Sequence, residues 1–175
     1  MAEGVTYSGS RDARFVTIRR GGTLDDETHH LLALWSAHCA ARVLDLFERE
    51  HLGDGRARMA VDQAYAWARG EITMTQARET AYAAHDVAKG AVGAAREAAR
   101  AAGHAAATAH MADHELGAAA YAIRAIRAAA TPDDRDEAGR AECRWQRSDL
   151  PSAFRELVLD DMRLRNRKMW SLFDC

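Results

Sequence analysis

The chain has 175 residues, enough for one domain with a sizeable buried core. Its 24 basic and 26 acidic residues give a formal net charge of −2, which argues against a general nucleic-acid binder and against a polybasic membrane protein. Two prolines and few strand-like runs indicate an all-α chain. No basic segment followed by an apolar one opens the sequence, and charges interrupt its longest alanine run, so we expect a soluble cytoplasmic protein.

The N-terminal part of the chain lacks helical periodicity. Residues 1–13 are polar and aperiodic, which predicts a disordered tail ahead of a single helical domain, 14–175. Residues 14–20 have the β-branched, extended character of a short strand, and Gly21 and Gly22 close it. Because no partner strand is evident, we expect an extended arm that lies on the helices or pairs with its counterpart in a homodimer.

The first three helices carry clear start and stop signals. Thr23 and Asp26 resemble a capping pair that opens a long helix ending at Gly53. Residues 54–69 then show apolar residues at helical spacing. The segment Thr73-Met-Thr-Gln76 is a capping box, which predicts the start of a third helix.

The alanine-saturated stretch 91–130 is the most distinctive part of the sequence. As one helix it would be roughly 60 Å long, more than twice the diameter of a compact domain of this size, so it must break. We expect the break near Asp113, where the carboxylate could cap a following helix. Thr131-Pro-Asp-Asp134 and Pro151 open two further helices. The prediction is a compact all-α bundle of about seven helices with a short extended N-terminal arm.

Histidines in this stretch are candidate metal ligands. His110 and His114 are spaced i, i+4, which places two imidazoles on one helix face and suits zinc or copper. His104 lies about 240° from His110 around an ideal helix, so it cannot join the pair without a distortion of the helix. Hydrogen bonding across packed helices is the interpretation we favour, because no recognised zinc signature is present. Further ligands would have to come from other segments: His30, His85 and Asp62, or His38 and Asp113.

Other residue types give weaker signals. Tryptophans favour core packing, with Trp170, near the chain end, as the expected exception that could stack on a ligand. The basic run 163–168 could hold phosphates or contact an acidic partner, although it is more typical of a solvated helix end, so nucleic acid is not an expected partner. The chain has an odd number of cysteines, and their spacing is not that of metal ligands, which predicts reduced thiols at Cys39, Cys143 and Cys175.

Long segments of the chain resemble an immunity-protein family of bacterial polymorphic-toxin systems, in the version common in actinomycetes. These segments occur in the same order as in that family and are 14–24, 30–44, 64–74, 105–122 and 141–147. The resemblance covers nearly the whole chain from residue 14. It implies a helical protein that binds a cognate protein toxin and blocks it.

The resemblance and the residues together favour a non-enzymatic inhibitor that needs no cofactor. No nucleophile elbow, P-loop or dinucleotide fingerprint is visible. Two acidic segments are the predicted contacts with a basic toxin, through Asp25, Asp26 and Glu27 and through Asp133 and Asp134. The alternatives are a small helical metal-binding protein or enzyme of a specialised biosynthetic pathway, with His110 and His114 in its site, and a self-associating structural module.

Overall fold

The computed structural model describes residues 11–175, most of which form eight α-helices. The all-α bundle is therefore confirmed, with one helix more than the approximate number expected. Short 3-10 turns occupy Ala13–Phe15, Ile18–Arg20, Ala112–His114 and Asn166–Met169. The helices are α1 (Asp26–Ala41), α2 (Leu44–Glu48), α3 (Arg56–Ala68), α4 (Met74–Gly90), α5 (Gly93–Ala107), α6 (Glu115–Ala129), α7 (Arg135–Ser148) and α8 (Arg155–Arg165).

Helix α5 lies at the centre of the bundle. It packs against α1, α2, α3, α4 and α6, and alanines such as Ala95, Ala98 and Ala102 are fully buried along it. Methyl side chains let neighbouring helices approach closely on every side, whereas larger residues would hold them apart. The alanine-rich stretch therefore determines how tightly the fold is packed.

The predicted break in this stretch is confirmed. Helix α5 ends at Ala107, residues 108–114 turn the chain, and α6 returns alongside α5, so that Glu97 faces Arg124. The prediction that Asp113 caps α6 is wrong. Its carboxylate pairs with the guanidinium of Arg11, at 3.1 Å, which fixes the N-terminal segment to the turn.

Helix starts follow the predicted signals unevenly. The capping box at Thr73 and Gln76 is confirmed, with both reciprocal hydrogen bonds formed. Helix α1 is capped by Asp25, whose Oδ1 accepts from Thr28 N at 2.7 Å, and the expected long first helix is split into α1 and α2 near Val43. The starts predicted at Thr131 and Pro151 are turns, so α7 and α8 begin about one turn later.

The segment 14–20 is not extended. It forms two 3-10 turns, and a single bridge joins Thr17 to Leu24. Phe15 and Val16 are buried, because the turned segment packs onto the bundle in place of forming a strand. Residues 1–10 of the predicted tail lie outside the described residues, while 11–13 belong to the folded part.

The C-terminal residues 166–175 form a hook that folds back onto α7. A disulfide joins Cys143 to Cys175, so the prediction of reduced thiols is wrong for these two residues, while Cys39 is free and buried. Asn166 Oδ1 accepts from Phe173 N at 2.9 Å, and Arg147 donates to Phe173 O at 2.6 Å. The pairing depends on the contact between the hook and α7, which cysteine spacing does not reveal.

Candidate functional site

Four histidines converge where α4, α5 and α6 meet, and we call His85, His104, His110 and His114 the histidine cluster. Nδ1 of His104 lies 3.0 Å from Nδ1 of His114. The ring centroids of His85 and His104 are 5.0 Å apart, and those of His110 and His114 are 5.4 Å apart. His104 joins the pair because the helix is distorted between them, the one condition under which the helical geometry allowed it. The turn at 108–114 brings His104 and His114 together although ten residues separate them.

Two glycines make room for these rings. A Cβ atom added at Gly117 would lie 2.4 Å from Nδ1 of His104, and one added at Gly103 would lie 2.6 Å from Cε1 of His85. Both distances are far inside van der Waals contact, so only glycine allows the rings to lie against the α5 and α6 backbones. The cluster is thus held by backbone as well as by side chains.

Burial keeps the histidine cluster neutral. It lowers the pKa of His104 to about 3 and the pKa of His114 to about 4, with neighbouring histidines adding to the shift of His104. Burial also lowers the pKa of His85 and of His110. Because both rings are neutral, the Nδ1 of one histidine carries a hydrogen and donates a hydrogen bond, and the Nδ1 of the other accepts it. Rings with such low pKa values are weak general bases near neutral pH.

The predicted metal ligands are only partly brought together. His85, His110 and His114 share the cluster, whereas His30 packs against Trp67, with 4.6 Å between ring centroids, and Asp62 is an exposed residue of α3. Within residues 11–175, no group of three or more His, Cys, Asp or Glu side chains has an arrangement that could hold a metal ion. Zinc or copper binding by His110 and His114 stays a prediction.

An aromatic row continues from the cluster to the protein surface. Tyr121 stacks on His104, with 5.1 Å between ring centroids and an interplanar angle of 22°. The row ends at Trp170 in the hook, whose ring centroid lies 5.6 Å from that of Tyr121. The guanidinium of Arg124 lies 4.2 Å from the Trp170 ring centroid. The sequence singled out Trp170, but the i, i+4 search missed His104 and Tyr121 because their contact crosses two helices.

A cleft of about 590 Å³ opens beside the other end of the cluster. Trp67 forms part of its apolar wall, flanked by His29, whose Nε2 donates to Thr108 O at 2.7 Å. His110 also lines the cleft, and its Nδ1 is buried without a hydrogen-bond partner. The volume lies within the range of ligand pockets, although no motif in the sequence indicated one. The lining is as polar as it is apolar, and its charged residues are Arg11, Arg19, Arg20 and Asp26.

Buried carboxylates fix the helices around the cluster. Glu115 is fully buried at the start of α6, and burial raises its pKa, which favours the protonated acid beside Asp161. Arg165 contacts both carboxylates and donates to Asp113 O at 2.9 Å, so it joins α8 to the turn that carries His114. These acids have structural partners, which makes a role as general acid or base unnecessary to explain them.

The predicted toxin contacts are on the surface. Asp25 caps α1, and Asp26 pairs with Arg19 at 3.0 Å. Asp134 accepts a hydrogen bond from Thr131 Oγ1 at 2.7 Å. Glu27 and Asp133 are exposed, and no cation among residues 11–175 pairs with either.

Comparison with known proteins identifies the family. A family model described as "Imm-5 like putative immunity protein" matches residues 22–153, from the segment before α1 through the end of α7. The chain belongs to this family. No curated protein and no solved structure matches it. The match includes His85, His104, His110 and His114, and it ends before the hook. Membership in an immunity-protein family is thus confirmed.

None of the helices formed by residues 11–175 has the length and apolar character that crossing a bilayer requires.

Proposed function

We propose that this chain is an immunity protein that binds a cognate protein toxin and neutralises it without chemically altering it. The observation that carries the proposal is the family match, which spans seven of the eight helices. A rigid, alanine-packed bundle suits this role, because an inhibitor that is already ordered loses little conformational entropy on binding. The low histidine pKa values also favour a structural part for the cluster over acid and base catalysis.

Co-expression with a toxin identified in a gene that neighbours this one tests the proposal. The wild-type chain should restore growth of cells that make the toxin, and the two proteins should co-purify at a fixed stoichiometry. Toxin released from the complex by denaturation and refolded should regain full activity and unchanged mass. Recovered toxin that is cleaved or modified would contradict neutralisation by binding alone, and absence of both protection and co-purification would contradict the immunity role.

The acidic segments are the sequence-derived proposal for the contact surface. Glu27 and Asp133 are the best positions to test, because reversing them breaks no ion pair among the described residues. If a basic toxin face binds there, E27K/D133K should lower the affinity, while E50K/E79K, an equal charge change at exposed acids elsewhere, should not. Equal affinity for both variants and the wild type would remove these segments from the interface.

A metal-binding role is the second candidate. The contact between His110 and His114 is the observation that favours it, although no group of three or more His, Cys, Asp or Glu side chains in residues 11–175 is arranged to hold a metal ion. It predicts near-stoichiometric zinc or copper in the purified protein, lost in H110A. Metal below about one-tenth of an equivalent, with no uptake on addition of either ion, would contradict it.

A further inference from the structure

The exposed indole of Trp170 is held in an unusual backbone conformation. Trp170 has φ 58° and Ser171 has φ 55°, the left-handed region that residues with a Cβ atom rarely adopt. The disulfide and the hydrogen bonds of Asn166 fix the hook around these two residues. The hook buries Phe173 but leaves Trp170 50% exposed, so part of this indole is open to solvent.

Neighbouring side chains make Trp170 part of a preformed surface. The guanidinium of Arg124 lies 4.2 Å from the indole centroid, and Tyr121 meets the same ring edge-on. Arg100 lies 5.7 Å from the Tyr121 centroid. Since Tyr121 rests on His104 of the buried cluster, the platform is supported from inside the bundle. Rigid aromatic and arginine side chains of this kind dominate protein interfaces.

The cations near this platform differ in whether they form ion pairs. Arg100, Arg167 and Lys168 have no carboxylate partner among residues 11–175. Arg124 is satisfied internally, because its Nε lies 2.8 Å from buried Glu97, which also meets Arg96 at 3.4 Å. We define the hook face as Arg100, Tyr121, Arg124, Arg167, Lys168 and Trp170. All four charged residues of the hook face are cations, although the whole chain has a net charge of −2.

We propose that the hook face binds the cognate toxin and that the toxin presents an acidic surface with an apolar recess for Trp170. The inference rests on the proposed function and names the partner surface. Unpaired cations around a half-exposed indole match such a surface in charge and in shape. The hook lies beyond the residues that the family model matches, which fits a contact that adapts a shared bundle to one toxin.

Charge reversal that leaves internal ion pairs intact is the first test. R100E/K168E changes the net charge by −4 without removing an ion pair that the structure contains. R69E/K89E makes the same change at two exposed cations, one directly after α3 and one in α4, each with only a solvent-exposed partner. With the neighbouring toxin immobilised, R100E/K168E should slow association at least tenfold at 50 mM salt and flatten its salt dependence. R69E/K89E should stay within about threefold of the wild type, as long-range electrostatics alone allows.

Removal of the indole is the second test. W170A should speed dissociation at least tenfold, as expected for a central interface anchor, while L52A, a substitution at an exposed apolar residue of the α2 to α3 connection, should leave it unchanged. Thermal unfolding of every variant verifies the fold. W170F keeps an aromatic ring against Arg124, so it should recover part of the lost affinity if the ring is the anchor and the hook is intact.

The outcomes separate the two proposals. If the wild type binds the toxin, R100E/K168E and W170A both lose binding, and the control variants keep it, the hook face is supported as the toxin-binding surface. Wild-type binding that both variants retain, or that R69E/K89E loses equally, overturns the hook face and leaves the immunity role standing. A wild-type protein that neither binds nor protects against the neighbouring toxin overturns the proposed function and this inference with it.

Discussion

The hook face and the acidic segments carry opposite charges, and the fold uses these charges differently. In the acidic segments, 25–27 and 133–137, most carboxylates already cap a helix, stabilise a turn or pair with arginine. On the hook face, three cations have no carboxylate partner in residues 11–175, and the indole of Trp170 is half-exposed. A side chain that already forms an ion pair within the protein has less electrostatic attraction to offer a binding partner. The number of charged residues in a sequence segment is therefore a poor measure of what its surface can bind.

Removing the disulfide should have the largest effect on this comparison, because it releases the hook and leaves the acidic segments in place. Cys143 and Cys175 are 32 residues apart, and for a loop of that size C143S/C175S should lower the free energy of unfolding by about 3–4 kcal/mol. Chemical denaturation with and without a thiol reductant measures this. Reductant should destabilise the wild type and leave the double variant unchanged; a wild type insensitive to reductant would show that the bond is absent or has no effect.

A methyl group added at Gly117, behind the aromatic row of His104, Tyr121 and Trp170, should have the next largest effect. In G117A the new methyl group would lie 2.4 Å from His104 Nδ1, and the ring, packed between His114 and Tyr121, has little room to move. We expect a loss of about 2–3 kcal/mol of stability, together with weaker support for Tyr121 on the hook face.

Gly90 provides the matched control for that substitution. It ends α4, and a Cβ added there would meet no atom within 4 Å. G90A should therefore be neutral or stabilise the chain by up to about 1 kcal/mol, through the lower entropy of the unfolded state. If G117A unfolds at the same denaturant concentration as G90A, the His104 ring can move away from position 117 and is not tightly packed.

Acid should destabilise the histidine cluster in a predictable direction. The folded-state pKa of His114 is about 4, below the ordinary value of 6.5, so the unfolded chain binds protons more readily than the folded one. The stability that His114 contributes is complete above pH 6.5 and declines as the pH falls toward 4. Between pH 7 and pH 5 the loss from this ring should be about 2 kcal/mol.

The variant H114N isolates this contribution. Asparagine places a donor and an acceptor near the position of Nδ1, so it can still bond to His104 but cannot titrate. The free energy of unfolding, measured at pH 5 and pH 7, should fall by about 2 kcal/mol less in H114N than in the wild type. Equal pH dependence would mean that His114 is not held neutral by burial.

Sequence patterns predicted the bundle well because they depend on local chemistry. The capping box at Thr73 and the break in the alanine stretch follow from hydrogen-bond capacity and from length, both visible in the residues themselves. The prediction of an extended segment at 14–20 was wrong because its β-branched residues had no sheet to join. Burial of Phe15 and Val16 against helices then determined its shape.

The site was harder to predict because its contacts join distant segments. The helical angle that separates His104 from His110 applies only within an unbroken helix, and the same turn that we predicted invalidates it. Gly103 and Gly117 were the available signal: glycines inside alanine-rich helices indicate close approach of another group. The Cys143 to Cys175 bond and the contact of Trp170 with Arg124 have no comparable local signal.

Reversing the free acidic charges should have the smallest effect. Glu27 and Asp133 are exposed and have no ion pair among the described residues, so E27K/D133K should change the free energy of unfolding by less than about 0.5 kcal/mol. If the hook face alone binds the toxin, this variant should associate no more slowly than the wild type, because added positive charge favours an acidic toxin surface. If E27K/D133K instead slows association while R100E/K168E does not, the toxin is basic and binds the acidic segments, and the assignment of the two surfaces is reversed.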